Sequence, residues 1–96
     1  MTTYVILSRF SPEAFTKPGD FKGLAATVSE EIRASCPGVV WKDSYATLGQ
    51  YDVVDVVEAD DPIEVERAAM IIRGQGHSTT ETLLATPWRK FLESLE

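Results

Sequence analysis

A single cysteine and a single histidine occur in 96 residues, and that scarcity removes several classes of protein at once. Cys36 has no partner for an intrachain disulfide, and no Cys/His cluster has zinc-ligand spacing, so neither a disulfide scaffold nor a metal-built site is expected. Basic residues are also few: nine Lys and Arg stand against fifteen Asp and Glu, giving a net charge of −6. Nonspecific binding to nucleic acid or an anionic membrane needs clustered cations, so neither is an expected partner. No apolar run approaches the ~20 residues of a membrane span, and Met1-Thr-Thr-Tyr-Val-Ile-Leu7 lacks the basic segment of a signal peptide; a cytoplasmic protein is expected. Phosphate loops and nucleophile elbows are missing, and Gly74-Gln-Gly76 follows a helix where a dinucleotide fingerprint would follow a strand. No cofactor and no catalytic residue is assigned.

What is present suits an ordinary globular chain, with 44% hydrophobic and 25% charged residues, and its length suits one domain over residues 1–96. The organising stretch is Thr47 to Pro62. Gly49-Gln50 reads as a two-residue hairpin with glycine first, the position where a type II′ turn needs φ > 0. Tyr51 to Glu58 carries valine at 53, 54, 56 and 57, so it is apolar on both faces and reads as a central strand. Asp61-Pro62 reads as a helix N-cap followed by proline at N1, with Glu64 completing a capping-box-like pattern.

Around that stretch, strands are predicted near 3–9, 39–48, 51–59 and 78–84, and helices near 20–35, 62–73 and 87–95. Phe10 to Gly19 reads as a loop with one helical turn around Glu13 and Phe15. Gly74 is expected to end the second helix in the left-handed region. Cys36 lies four residues past Ile32 on the first helix's apolar stripe, which predicts a small buried hydrophobe.

The order β-α-β-β-α-β plus a terminal helix predicts an α+β, ferredoxin-like split βαβ fold: a four-stranded antiparallel sheet of order 4-1-3-2 with two helices on one side. Strands one and three are then central, and they are the two that are apolar on both faces. Two helices cover one face only, which leaves an apolar patch larger than monomers usually tolerate. A homodimer or higher homo-oligomer, stacked sheet to sheet as a dimeric α/β barrel, is therefore expected, with Val5, Leu7, Val53 and Val57 in the interface. Coverage by the terminal helix, through Trp88, Phe91 and Leu95, is the alternative.

A turn at Gly49-Gln50 pairs Ser44 with Asp55, Lys42 with Val57 and Tyr45 with Val54. The more aromatic set, Trp41, Tyr45, Val54 and Val56, is assigned to the helices, which puts Asp55, Ser44, Val53 and Val57 on the open face. Asp55 is then a candidate ligand- or proton-handling carboxylate in an apolar cleft, or else a partner of Lys42 or Ser44. A bulge in the second strand would overturn that face assignment. His77 is a candidate haem or metal ligand and otherwise a solvated loop residue. Glu81 is a candidate to join Asp55 across the sheet, while Tyr51 and Asp52 are read as turn residues, Asp52 accepting backbone N–H groups.

Gly49-x-Tyr51-Asp52-Val-Val, Glu58-Ala59 before the acidic cap, Thr80-Glu-Thr-Leu83 and the opening Thr3-Tyr-Val resemble the bacterial GYD domain family over essentially the whole chain. That resemblance implies a ferredoxin-like, dimeric α/β-barrel type fold and brings no established catalytic residues. A small apolar residue is more usual there at position 55, so Asp55 is the residue to explain. Function is expected to be that of a noncatalytic homo-oligomeric module binding a partner protein or a small apolar or aromatic ligand. The alternative is a small dimeric α/β-barrel enzyme, of mono-oxygenase or haem-using type, acting on an apolar or aromatic substrate in a cleft beside the open sheet face, with Asp55 or His77 as its acid-base group.

Overall fold

A computed structural model of the chain describes residues 1–15 and 20–96. Its elements are β1 (Thr2–Phe10), a 3₁₀ turn (Pro12–Phe15), α1 (Asp20–Ser35), β2 (Val40–Ala46), β3 (Val53–Ala59), α2 (Pro62–Gln75), β4 (Ser78–Ala85) and α3 (Trp88–Glu93). The sheet is antiparallel with order β2-β3-β1-β4, so β1 and β3 are central as their composition requires. This is the ferredoxin-like arrangement. Of the loop expected over Phe10–Gly19, Phe10 ends β1, Pro12–Phe15 form the helical turn, and residues 16–19 lie outside the described residues.

The core lies between the sheet and α2. Ile6, Val57 and Ala59 of the central strands meet Val65, Ala68 and Ile72 of α2, and Ile32 of α1 and Cys36 just beyond its end close the cluster. Ile6 and Val57 are fully buried, each worth about 1.5–3 kcal/mol in removed apolar surface. No helix among the described residues is long and apolar enough to cross a membrane.

Two local signals act as the sequence suggests. Gly49 has φ +141°, a conformation that side-chain-bearing residues avoid, but the connection is longer than the expected two-residue turn: β2 ends at Ala46, β3 begins at Val53, and the Thr47 amide donates to the Asp52 carbonyl at 2.9 Å. Asp61 caps α2, its side chain accepting from the Ile63 amide at 2.9 Å, with Pro62 next. Asp61→Ala should lower stability by about 1 kcal/mol, read as a drop of roughly 4–8 °C in the thermal midpoint. Glu64 does not reach back to the cap; its Oε1 accepts from the Gly38 amide at 2.9 Å and ties the turn before β2 to α2.

Three expectations are corrected. Helix α2 runs past Gly74 to Gln75, capped by Gly76 in a right-handed conformation, and the positive φ (50°) falls on His77. Strand β2 carries a bulge: Trp41 pairs with Val57 and Asp43 with Val56, leaving Lys42 as the extra residue. Ser44 still faces Asp55 and Tyr45 still faces Val54, but beyond the bulge the faces exchange. Trp41 therefore joins the face of Asp55 and Val57, and Tyr45 stays on the opposite one. Consequently the face bearing Val53, Asp55 and Val57 is the one the helices cover, and the uncovered face carries Val5, Leu7, Val54 and Val56. Finally, α3 covers neither face: none of its residues is buried, and Trp88, Phe91, Leu92 and the following Leu95 are all exposed.

Candidate functional site

Helix α1 packs chiefly on α2 and stands off the sheet, leaving a cavity of about 680 Å³ between α1 and the covered face. Leu24, Val28 and Ile32, spaced i, i+4, i+8 on α1, form its roof. Phe10 and Phe21 meet edge to face at one end, with ring centroids 4.5 Å apart. Trp41, Val53 and Asp55 contribute the floor from β2 and β3.

Asp55 is 6% exposed because it occupies an inward position on a central strand, paired with Ile6 on one side and Ser44 on the other. Its Oδ1 accepts from Ser44 Oγ at 2.6 Å and from Trp41 Nε1 at 3.1 Å. Trp41 Nε1 also lies 2.9 Å from Ser44 Oγ, closing a triangle. Burial pushes the Asp55 carboxyl above the ordinary carboxylate range, with the Ser44 and Trp41 bonds pulling back. No described residue donates to Oδ2. Ser8, two residues along β1 from Ile6 and so diagonal to Asp55 on the same face, is 2% exposed, and its hydroxyl has no hydrogen-bond partner among the described residues. Cys36 also lines the cavity, its thiol pushed up by burial.

The other candidate residues scatter. Lys42, displaced by the bulge, is 3.9 Å from Glu58 and does not pair with Asp55. Glu81 pairs with Leu7 and so lies on the opposite face from Asp55; the Tyr51 hydroxyl donates to it, and that bond raises the tyrosine's pKa. Asp52 accepts not from its own turn, as expected, but from the Phe10 amide at 2.9 Å, locking the hairpin to β1. His77 is exposed and contributes its backbone carbonyl to Ser11; its neighbours Gly76 and Ser78 line the cavity and it does not. Among the described residues no group of three or more His, Cys, Asp or Glu is placed to hold a metal ion. Sequence reasoning passed over Ser8 and Trp41. A serine directly after the apolar run Tyr4–Leu7 of a central strand, in phase with Tyr4 and Ile6, was a visible signal for the first, whereas the bulge concealed the second.

A four-stranded antiparallel sheet with one apolar face uncovered and a cavity between the other face and α1 defines a small ferredoxin-like α+β protein. The GYD domain matches residues 4–95, and the chain belongs to that family. It is 33% identical over 87 residues to a glutamine synthetase and cystathionine beta-lyase binding protein of Thermus thermophilus, covering 91% of this chain and 90% of that one. The crystal structure of TTHA0845, also from Thermus thermophilus, is similar with a TM-score of 0.57 and 27% identity, over 91% of this chain and 95% of that one.

Proposed function

We propose that this protein is a noncatalytic, self-associating binding module whose partner is another protein. The observation that carries this reading is the uncovered sheet face. Val5 and Leu7 of β1 and Val54 and Val56 of β3 lie side by side there, with Tyr45 and Leu83, 56% and 43% exposed, on the flanking edges. Apolar area of this kind gains about 25 cal/mol per Å² when removed from water, and large contiguous exposed apolar patches mark interaction sites. Two copies stacked sheet to sheet would bury it, and the exposed apolar side chains of α3 offer further contact area to a second chain. A relative named for binding two enzymes supports a protein partner for the assembled module.

Light scattering and calorimetry test this together. The wild type should have the mass of a dimer or larger at micromolar concentration and should bind purified glutamine synthetase or cystathionine beta-lyase, with Leu83→Asp weakening assembly or capture. A monomer that binds neither enzyme contradicts the proposal. The enzyme reading draws on the cavity, and of its two acid-base candidates only Asp55 lines it. A Soret band on haem titration, lost in His77→Ala, would favour its haem-using version.

A further inference from the structure

The cavity under α1 has a polar floor that the fold leaves incomplete. A carboxylate oxygen, Asp55 Oδ2, receives no donor from the described residues, and the Ser8 hydroxyl, 2% exposed on the same face, has neither donor nor acceptor among them. Buried polar groups are nearly always paired, and of these two the Ser8 hydroxyl is the buried atom left without a partner among the described residues. Diagonal neighbours on one sheet face lie roughly 7–8 Å apart at the backbone, with side chains closer, so a single atom between the two can reach both.

The chemistry of that atom is constrained. It must donate to the Asp55 carboxylate and meet the Ser8 hydroxyl, which can donate or accept; a hydroxyl oxygen does both without carrying charge into the apolar cavity, an ammonium could donate to both groups but would have to be desolvated there, and a carboxylate meets Asp55 with like charge. Around it the walls are apolar and ring-rich, with Phe10, Phe21 and Trp41 facing the aliphatic side of α1. The volume, about 680 Å³, falls within the roughly 300–1,000 Å³ of small-molecule sites. We propose that this cavity is a binding site for a small hydroxylated aromatic molecule of phenol or naphthol type, its ring among Phe10, Phe21 and Trp41 and its hydroxyl bridging Asp55 and Ser8. The site lies on the covered face, opposite the proposed protein interface, and does not depend on it.

The test uses an isosteric pair of probes on the unaltered protein, 2-naphthol and 2-methylnaphthalene, with the Trp41 indole N–H signal followed by NMR. 2-Naphthol should bind at least about tenfold more tightly than its methyl analogue, the factor expected from leaving a buried polar group unpaired. Ser8→Ala and Asp55→Leu should remove that preference while leaving 2-methylnaphthalene unaffected. Asp55→Leu leaves Trp41 and Ser44 bonded to each other. Ala25→Trp, at an exposed residue lining the cavity, should abolish binding of both probes. Equal affinity for the two probes, no binding of 2-naphthol below about 1 mM, or a preference that survives Ser8→Ala in a folded protein would each overturn the proposal.

Discussion

Val57→Asp should abolish folding, whereas Val56→Asp, one residue away, should leave a folded chain that no longer self-associates. Val57 is 0% exposed and packs with Ile6 and Val65 in the core. A carboxylate placed there has no partner, and an unpaired buried charge costs several kcal/mol, against a total stability of about 5–15 kcal/mol for a domain. Far-UV circular dichroism should therefore show no cooperative unfolding for Val57→Asp. Val56 alternates to the uncovered face, opposite Val5 on one side and Asp43 on the other. In an isolated chain Val56→Asp should shift stability by about 1 kcal/mol or less. In a sheet-to-sheet dimer it brings like charges into a desolvated surface. Light scattering separates these effects, and a Val57→Asp protein as stable as wild type would show that the two faces are exchanged.

Asp55→Asn should raise the thermal midpoint by a few degrees near neutral pH and have little effect in acid. The sign follows from burial. Desolvation raises the folded-state pKa of Asp55 above its unfolded value, and the bonds from Ser44 and Trp41 offset this only in part. The folded chain therefore holds a proton that the unfolded chain has released, so this group's contribution is most favourable below the unfolded pKa of about 3.9 and declines as pH rises toward the folded value. This is the reverse of a salt-bridged carboxylate. Among the described residues two other ionisable groups line the cavity: Arg33, which does not add to the causes that shift Asp55, and Cys36, a neutral thiol in the range concerned; Lys42 is turned to Glu58. Asparagine keeps an acceptor for Ser44 and Trp41 and removes the charge. Because other carboxylates titrate in the same range, the diagnostic quantity is the difference between the variant and wild-type midpoints against pH. A difference that shrinks or turns negative as pH rises would refute this account.

The kind and order of the elements, the centrality of β1 and β3, the Gly49 turn, the Asp61 cap and the burial of Cys36 were determined by the sequence alone, because each rests on contacts within a few residues or on periodicity along one element. Family membership was legible for the same reason, through Gly49-x-Tyr51-Asp52 and Thr80-Glu-Thr-Leu83. Which face of the sheet the helices cover was not. With valine on both faces of β3, alternation distinguishes two sets of side chains without saying which is inside, and aromatic content favoured the wrong one because Trp41 and Tyr45 share a parity. One extra residue at Lys42 breaks that parity and sends Trp41 inward beside Asp55, since a strand's side chains alternate with period two and a single insertion exchanges every face beyond it. The end of α2 at Gly76, the separation of Glu81 from Asp55 and the gap beneath α1 were likewise decided by tertiary packing. They depend on how far helices stand from a sheet that neither helix's own sequence describes.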